Sequence, residues 1–206
     1  MYPDIQFVVF DHSPINIHLK RWLATCDNSV RLSDLDLGGG DFSDFIAMRR
    51  NRVVKWFLDK TDFSSLVMLD HDHILDDSVN PLLESDIDVA GASYVRSNGT
   101  LVHDSPASIG AGCLRVSRTA LEKIGAPWFA FEFNDDGTDI KQCECGFFSV
   151  KAQKAGYFPR KIGRAMHLVT VASRATKEGK AGVMFLNQLD LIVDRPSEHS
   201  DSHTHL

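Results

Sequence analysis

Cysteine is scarce in this chain, and the four present (Cys26, Cys113, Cys143 and Cys145) form no framework of paired spacings. That argues against a disulfide-stapled secreted module and for reduced thiols in a cytoplasmic protein. Cys143 and Cys145 have C-x-C spacing without a second pair, too little to define a zinc site. Long apolar runs are missing as well, and nothing approaches the roughly 20 residues of a membrane span. The opening MYPDIQFVVFDHS has no basic start and enters a strand at once, which predicts no signal peptide. Positive charge is in deficit, with a formal net charge of −6. A protein that simply coats nucleic acid or an anionic membrane is therefore disfavoured, although a local basic patch can still hold a nucleic-acid substrate. Neither phosphate-binding glycine frame occurs, and Gly38-Gly39-Gly40 reads as a flexible turn.

What is present suits one globular domain over residues 1–194, followed by a polar, flexible tail at 195–206. At 206 residues and 43% hydrophobic composition, the core is ample. Ile5 to Phe10 predicts a first strand, ended by Asp11-His12-Ser13-Pro14, with Ser13 as N-cap and Pro14 at the first helical position. A helix then runs to Leu23, a second strand lies near Val30 to Leu37, and Ser43 to Leu58 predicts a longer helix. On that helix Arg49 falls in the apolar stripe, Arg50 on its edge, and Asn51 points away. Its basic residues suit a diphosphate, because an arginine fork matches phosphate oxygens.

The chain is organised around Leu66-Val67-Met68-Leu69-Asp70-His71-Asp72-His73. A short apolar run of this kind reads as a strand covered on both faces, and its carboxyl end is where open α/β sheets bind ligands. Two carboxylates at i and i+2 repel; at about 4 Å and an effective dielectric near 20 that is roughly 4 kcal/mol. A shared proton, a basic partner or a divalent cation must offset it, and oxygen ligands at such an edge suit Mg²⁺ or Mn²⁺. The same pair also fits an Asp-rich loop capping the next helix.

Further on, Asp77 to Leu83 predicts a short helix and Ile87 to Tyr94 a strand, where Ala90-Gly91-Ala92 leaves room for close backbone approach. Residues 96–104 read as a polar loop or hairpin. Ala107 to Val116 alternates around Gly110 and Gly112, which suggests a strand under a bound ligand, and Ser117 to Gly125 is a compact helix with a glycine stop. Pro127 to Phe133 is either core or an acceptor platform. Residues 134–139 form an acidic turn, Glu144 to Ala155 a helix, and Tyr157 to Ile162 a late strand. His167, between Met166 and Leu168, reads by itself as a packed core histidine.

Taken in order, these pieces resemble the family 2-like glycosyltransferases of GT-A fold, in their compact, phage-type, single-domain form. Arg50-Asn51, then Val53-Val54 and Phe57-Leu58, is similar to that family's R-N helix. Leu66 to Asp72 resembles its strand ending in D-x-D. Gly110 to Arg118, then Leu121 to Phe129, is similar to its glycine strand, helix and Pro-aromatic segment. Glu144-Cys145 through Gly156 resembles the helix opened by a Glu-Asp pair, and His167 sits where the family has a late metal-binding histidine. The likeness covers residues 5–170, and Cys145 replaces the aspartate of the Glu-Asp pair.

The resemblance implies an α/β GT-A fold, a mostly parallel central sheet flanked by helices. It implies a nucleotide-diphosphate sugar donor, UDP-linked, with Asp11, Arg50, Asn51 and Asp70 on the donor. Asp70, Asp72 and His167 would hold Mn²⁺ or Mg²⁺, and Glu144 would be the catalytic base. The acceptor is open: glycan, protein or modified nucleic acid. Two other classes fit parts of the pattern. A nucleotidyltransferase would use the same acidic edge, although no glycine-rich loop with an adjoining basic residue follows the first strand. A non-catalytic nucleotide-sugar-binding module would explain Cys145.

Overall fold

The four-residue apolar runs Phe7 to Phe10 and Leu66 to Leu69 can only be strands here if both of their faces are covered, and both are. A computed structural model describes residues 2–11, 15–37, 46–96, 101–102, 108–168, 170–172 and 183–185. The elements in order are β1 (Ile5–Phe10), α1 (Ile17–Leu23), β2 (Ser29–Arg31), α2 (Ile46–Lys60), β3 (Ser65–Asp70), β4 (His73–Ile74), α3 (Asn80–Leu83) and β5 (Val89–Arg96). There follow β6 (Leu101–Val102), β7 (Cys113–Ser117), α4 (Arg118–Ile124), β8 (Glu132–Phe133), β9 (Ile140–Gln142), α5 (Glu144–Lys154) and β10 (Arg160–His167). The chain divides into two units, Met1–His167 and Leu168–Leu206. In the second, β11 (Thr170–Ala172) and β12 (Val183–Phe185) pair antiparallel.

The eight-stranded sheet of the first unit has the order β2-β1-β3-β7-β5-β10-β4, with β6 on β5. Strands β2, β1, β3, β5 and β10 share one direction, so the sheet is mostly parallel. Strand β7 is inserted antiparallel between β3 and β5. Side chains alternate across it with the two-residue period of a strand. Val8, Phe10, Leu66 and Met68 meet Val53, Phe57, Leu121 and Phe148 from α2, α4 and α5. Phe7, Val9, Val67 and Leu69 meet Leu19 of α1 and Leu82 of α3 on the other side. Each large side chain so covered contributes about 1.5–3 kcal/mol.

Several expected boundaries shift for physical reasons. Asn16 is the N-cap of α1, its side-chain oxygen accepting from Leu19 N at 2.9 Å. Ser13 and Pro14, expected in that role, lie outside the described residues, as do Gly38-Gly39-Gly40 and the tail. The second strand is short, because a 3-10 turn over Leu32–Asp34 takes over from Ser29–Arg31. The late strand continues to His167, held by β5 on one side and β4 on the other. The compact helix is as expected, with Gly125 at φ 69° as its stop, and Ser117 is its N-cap. At Gly91 the close approach is made by the chain itself: a Cβ there would lie 3.3 Å from the Gly110 carbonyl oxygen.

Asn51 does not point away from the protein. Its Oδ1 accepts from the backbone N–H of Trp128 (2.9 Å) and Phe129 (3.0 Å), and its Nδ2 donates to the Phe129 carbonyl at 2.6 Å. A helical wheel with one apolar stripe misses this because α2 packs on two sides, the sheet and the 127–129 segment. Trp128 and Phe129 are thereby core, whereas Phe133 is 52% exposed, so the aromatic run is part core and part surface. Asn51→Ala is expected to lower stability by about 2–3 kcal/mol, leaving two backbone donors unmet. Asn51→Asp, which keeps the acceptor, should lose less; equal urea midpoints for wild type and Asn51→Ala would refute this role.

Candidate functional site

Strand parity decides where each aspartate goes. Asp70 ends β3 in phase with Leu66 and Met68, so its carboxylate turns to the face covered by α2. Its N–H donates to the Gly112 carbonyl at 2.8 Å, which ties this strand end to the start of β7. Arg50 meets the carboxylate: Nη2 donates to Oδ1 at 3.0 Å and Oδ2 at 3.1 Å, while Nη1 donates to the Ala111 carbonyl at 2.8 Å. Arg50 is 2% exposed, its guanidinium 4.8 Å from the centre of the Phe10 ring. Its Nε lies 3.9 Å from Glu144 Oε1. The helix-edge position expected for Arg50 is therefore corrected to an enclosed one, and one cation faces two carboxylates.

Asp72 lies past the strand, in the turn before β4. Its Oδ1 is 3.2 Å from His73 Nδ1 and its Oδ2 is 3.4 Å from His167 Nε2. The two histidines meet because β4 pairs antiparallel with the end of β10, His73 directly opposite His167. Burial pushes the Asp72 carboxyl up, but contact with His73 and the charges of His73, His167 and His71 outweigh it and hold the group down at about 2. The repulsion expected between Asp70 and Asp72 is thus met by basic partners, Arg50 for one and histidines for the other.

Ligand atoms of Asp70, Asp72 and His73 lie within 4.8 Å of one another. Asp72 Oδ1 is buried without a hydrogen-bond partner, as are both ring nitrogens of His73. Orphaned oxygen and nitrogen atoms at ligand-like spacing fit a divalent cation. Glycine at position 112 allows this packing, since a Cβ there would stand 2.5 Å from Asp70 Oδ2 and 2.6 Å from His73 Cε1.

The remaining expected residues divide. Glu144, the first residue of α5, reaches the Arg50 side of this cluster. Burial, then contact with the Cys143 thiol and the charges of Cys143 and Glu144, push the Cys145 thiol up to about 12, against a lowering by the Gly146 N–H. Cys145 is therefore a neutral thiol near pH 7, and Glu144 is the one carboxylate of that pair. Asp11 follows Phe10, the register partner of Asp70, so it stands on the same sheet edge; it accepts from Ser33 N at 3.1 Å and Ser33 Oγ at 2.6 Å. Asn51 acts behind the site on residues 128–129. His73 is the residue that sequence reasoning missed. An open cavity of about 400 Å³ lined by Val9, Ile15, Lys20, Arg31 and Asp34 includes none of the expected site residues.

No protein-family model and no curated protein matches this chain. Solved structures do. The chain is similar to A197 from STIV at 18% identity and TM-score 0.53, over 87% of this chain and 93% of that one. It is also similar to a mutant Drosophila beta-1,4-galactosyltransferase 7 in complex with manganese, UDP-Gal and xylobiose. That match has 15% identity and TM-score 0.52, over 94% of this chain and 81% of the other. The chain is a mixed α/β protein with a curled, mostly parallel sheet between helices. Its fold is that of the GT-A glycosyltransferases. Among the described residues, no helix is long and apolar enough to cross a membrane.

Two expectations follow. Arg50→Met strands Asp70 and should cost about 3 kcal/mol, the low end for breaking a buried pair, because the Asp70 side chain is 23% exposed. Adding Asp70→Leu should recover part of that loss in urea unfolding; additive losses would show that the pair is not coupled. The second concerns pH. A carboxyl held at about 2, against an ordinary 3.8, contributes stability that is present above pH 3.8 and lost as pH falls toward 2. Asp72→Asn in chelator should therefore show a shallower acid loss over that window by circular dichroism, and a profile parallel to wild type would contradict the assignment.

Proposed function

We propose that this protein is a metal-dependent glycosyltransferase that moves a sugar from a UDP-linked donor to a hydroxyl acceptor. The observation that carries this reading is the Asp72 carboxylate, flanked by His73 and His167 beside Asp70, at the carboxyl edge of a GT-A sheet. The Drosophila neighbour was solved with manganese and UDP-Gal, which supports a similar donor here. In this reading Asp72, His167 and Asp70 hold Mn²⁺ or Mg²⁺. Such an ion supplies Lewis-acid charge for the diphosphate leaving group.

The chain's own residues do the remaining work. Asp11 and Asp70, on one sheet edge, accept hydrogen bonds from the nucleoside part of the donor. Arg50 acts from behind Asp70: it fixes that carboxylate and offsets its charge, so that an anionic donor meets less repulsion. Asn51 steadies the wall of the site through residues 128–129. Glu144, 3.9 Å from Arg50 Nε, takes the proton from the acceptor hydroxyl as the sugar is transferred. The acceptor, whether glycan, protein or nucleic acid, approaches past Glu144. One observation favours a non-catalytic nucleotide-sugar-binding module instead: Cys145 supplies no second carboxylate.

Incubation with UDP-sugars and Mn²⁺ distinguishes these. Slow release of UDP is expected, abolished by EDTA and restored by Mn²⁺, and Glu144→Gln should lower transfer about 100-fold or more. Release of sugar-1-phosphate in place of UDP, the uridylyl group having moved to an acceptor, would indicate a nucleotidyltransferase. Donor binding without any release would indicate the binding module, and release unaffected by chelator would remove the ion from the mechanism.

A further inference from the structure

We propose that His73 is a further ligand of the cation site, which makes the site a two-imidazole centre selective for Mn²⁺ over Mg²⁺. The inference rests on the reading of Asp70, Asp72 and His167 as a divalent-cation site, and extends it to a residue beyond the end of the D-x-D pattern.

The first support is an unmet polar group. His73 is 1% exposed, and neither ring nitrogen has a hydrogen-bond partner. Its Nδ1 lies 3.2 Å from Asp72 Oδ1, the carboxylate it would share with the cation. Buried imidazoles kept for packing ordinarily hand an N–H to a carbonyl, a carboxylate or water. The Tyr94 ring packs edge-on at 4.7 Å and offers the nitrogens nothing.

The second support is backbone register. Residues directly opposite on antiparallel strands put their side chains on the same face. His73 and His167 are such partners, with ring centroids 5.0 Å apart. The two imidazoles converge on one carboxylate, His73 on Oδ1 of Asp72 and His167 on Oδ2. Strand β4 is only two residues long, and Asn16 steadies it by donating to the carbonyls of His71 and His73, each at 2.9 Å. Asp70, the glycine at 112 and this turn therefore hold the His73 ring in one place.

The chemistry follows from the donor set. Mg²⁺ prefers oxygen ligands and keeps much of its water, whereas imidazole nitrogen suits first-row transition ions. A carboxylate pair with one histidine is a mixed site. Adding a second imidazole moves the preference toward Mn²⁺.

The test uses full-length protein stripped with EDTA and loaded with Mn²⁺ alone. Pulsed electron paramagnetic resonance of the wild type should show nitrogen modulation from two imidazoles, and His73→Gln and His167→Gln should each leave one. Mn²⁺ binding should weaken at least about tenfold in His73→Gln. Mg²⁺ in about tenfold excess should leave Mn²⁺ bound to the wild type. If His73→Gln does not fold, the nitrogen count of the wild type still decides. A single imidazole in the wild type, lost in His167→Gln, overturns the role of His73 and leaves the metal site standing. Ready displacement of Mn²⁺ by Mg²⁺ overturns the selectivity. No Mn²⁺ binding at all overturns both this inference and the function it rests on.

Discussion

A single buried guanidinium organises the acidic edge of this protein. Val53, Val54 and Phe57 fix α2 against the sheet, and Arg50, one turn earlier on the same face, is carried in beneath the end of β3. Its nitrogens address three separate elements: Asp70 on β3, the Ala111 carbonyl ahead of β7, and Glu144 at the start of α5. The two terminal nitrogens of this buried charge are matched by Asp70 and the Ala111 carbonyl, as a planar fork can do in fixed directions and an ammonium cannot. Arg50 thus sets the positions of two carboxylates at once, one on the donor side of the proposed reaction and one on the acceptor side. Phe10 and Phe129 flank it and limit where else it can go.

The two aspartates of the D-x-D stretch consequently have different electrostatic settings. Asp70 belongs to the strand and is neutralised by arginine, a permanent charge. Asp72 belongs to the turn and faces two imidazoles, those of His73 and His167. Only the second arrangement leaves a carboxylate whose partners can be replaced by a cation without leaving a buried charge unmatched. In the proposed function this asymmetry favours Asp72 as the principal ligand, with Asp70 as the neighbour that shapes the site.

How much of this was legible in the sequence depends on the range of each interaction. Phe7 to Phe10 and Leu66 to Leu69 were readable because strands covered on both faces carry unbroken apolar runs. The stop at Gly125 was readable because a helix end is local chemistry. Asp72 and His167 stand far apart in the chain, and only the resemblance to GT-A enzymes linked them. His73 was hidden because it lies on β4, a strand too short to have any periodicity of its own, and only pairing with β10 sets it opposite His167. Asn51 was misplaced because a helical wheel assumes one packed face, while the 127–129 segment supplies a second.

The exchange of an aspartate for Cys145 becomes intelligible in the same terms. Position 145 packs among Phe129, Phe148 and Ala152, an apolar setting in which a carboxylate would need a partner of its own. Arg50, the cation within reach of this helix start, already faces Asp70 and Glu144. A second carboxylate at 145 would share a charge that already faces two carboxylates, whereas a thiol asks for none. In the proposed function the acid-base role of α5 therefore falls to Glu144, whose side chain is 14% exposed while Cys145 is buried. Loss of the second carboxylate is, on this argument, compatible with catalysis provided that Glu144 alone meets the acceptor.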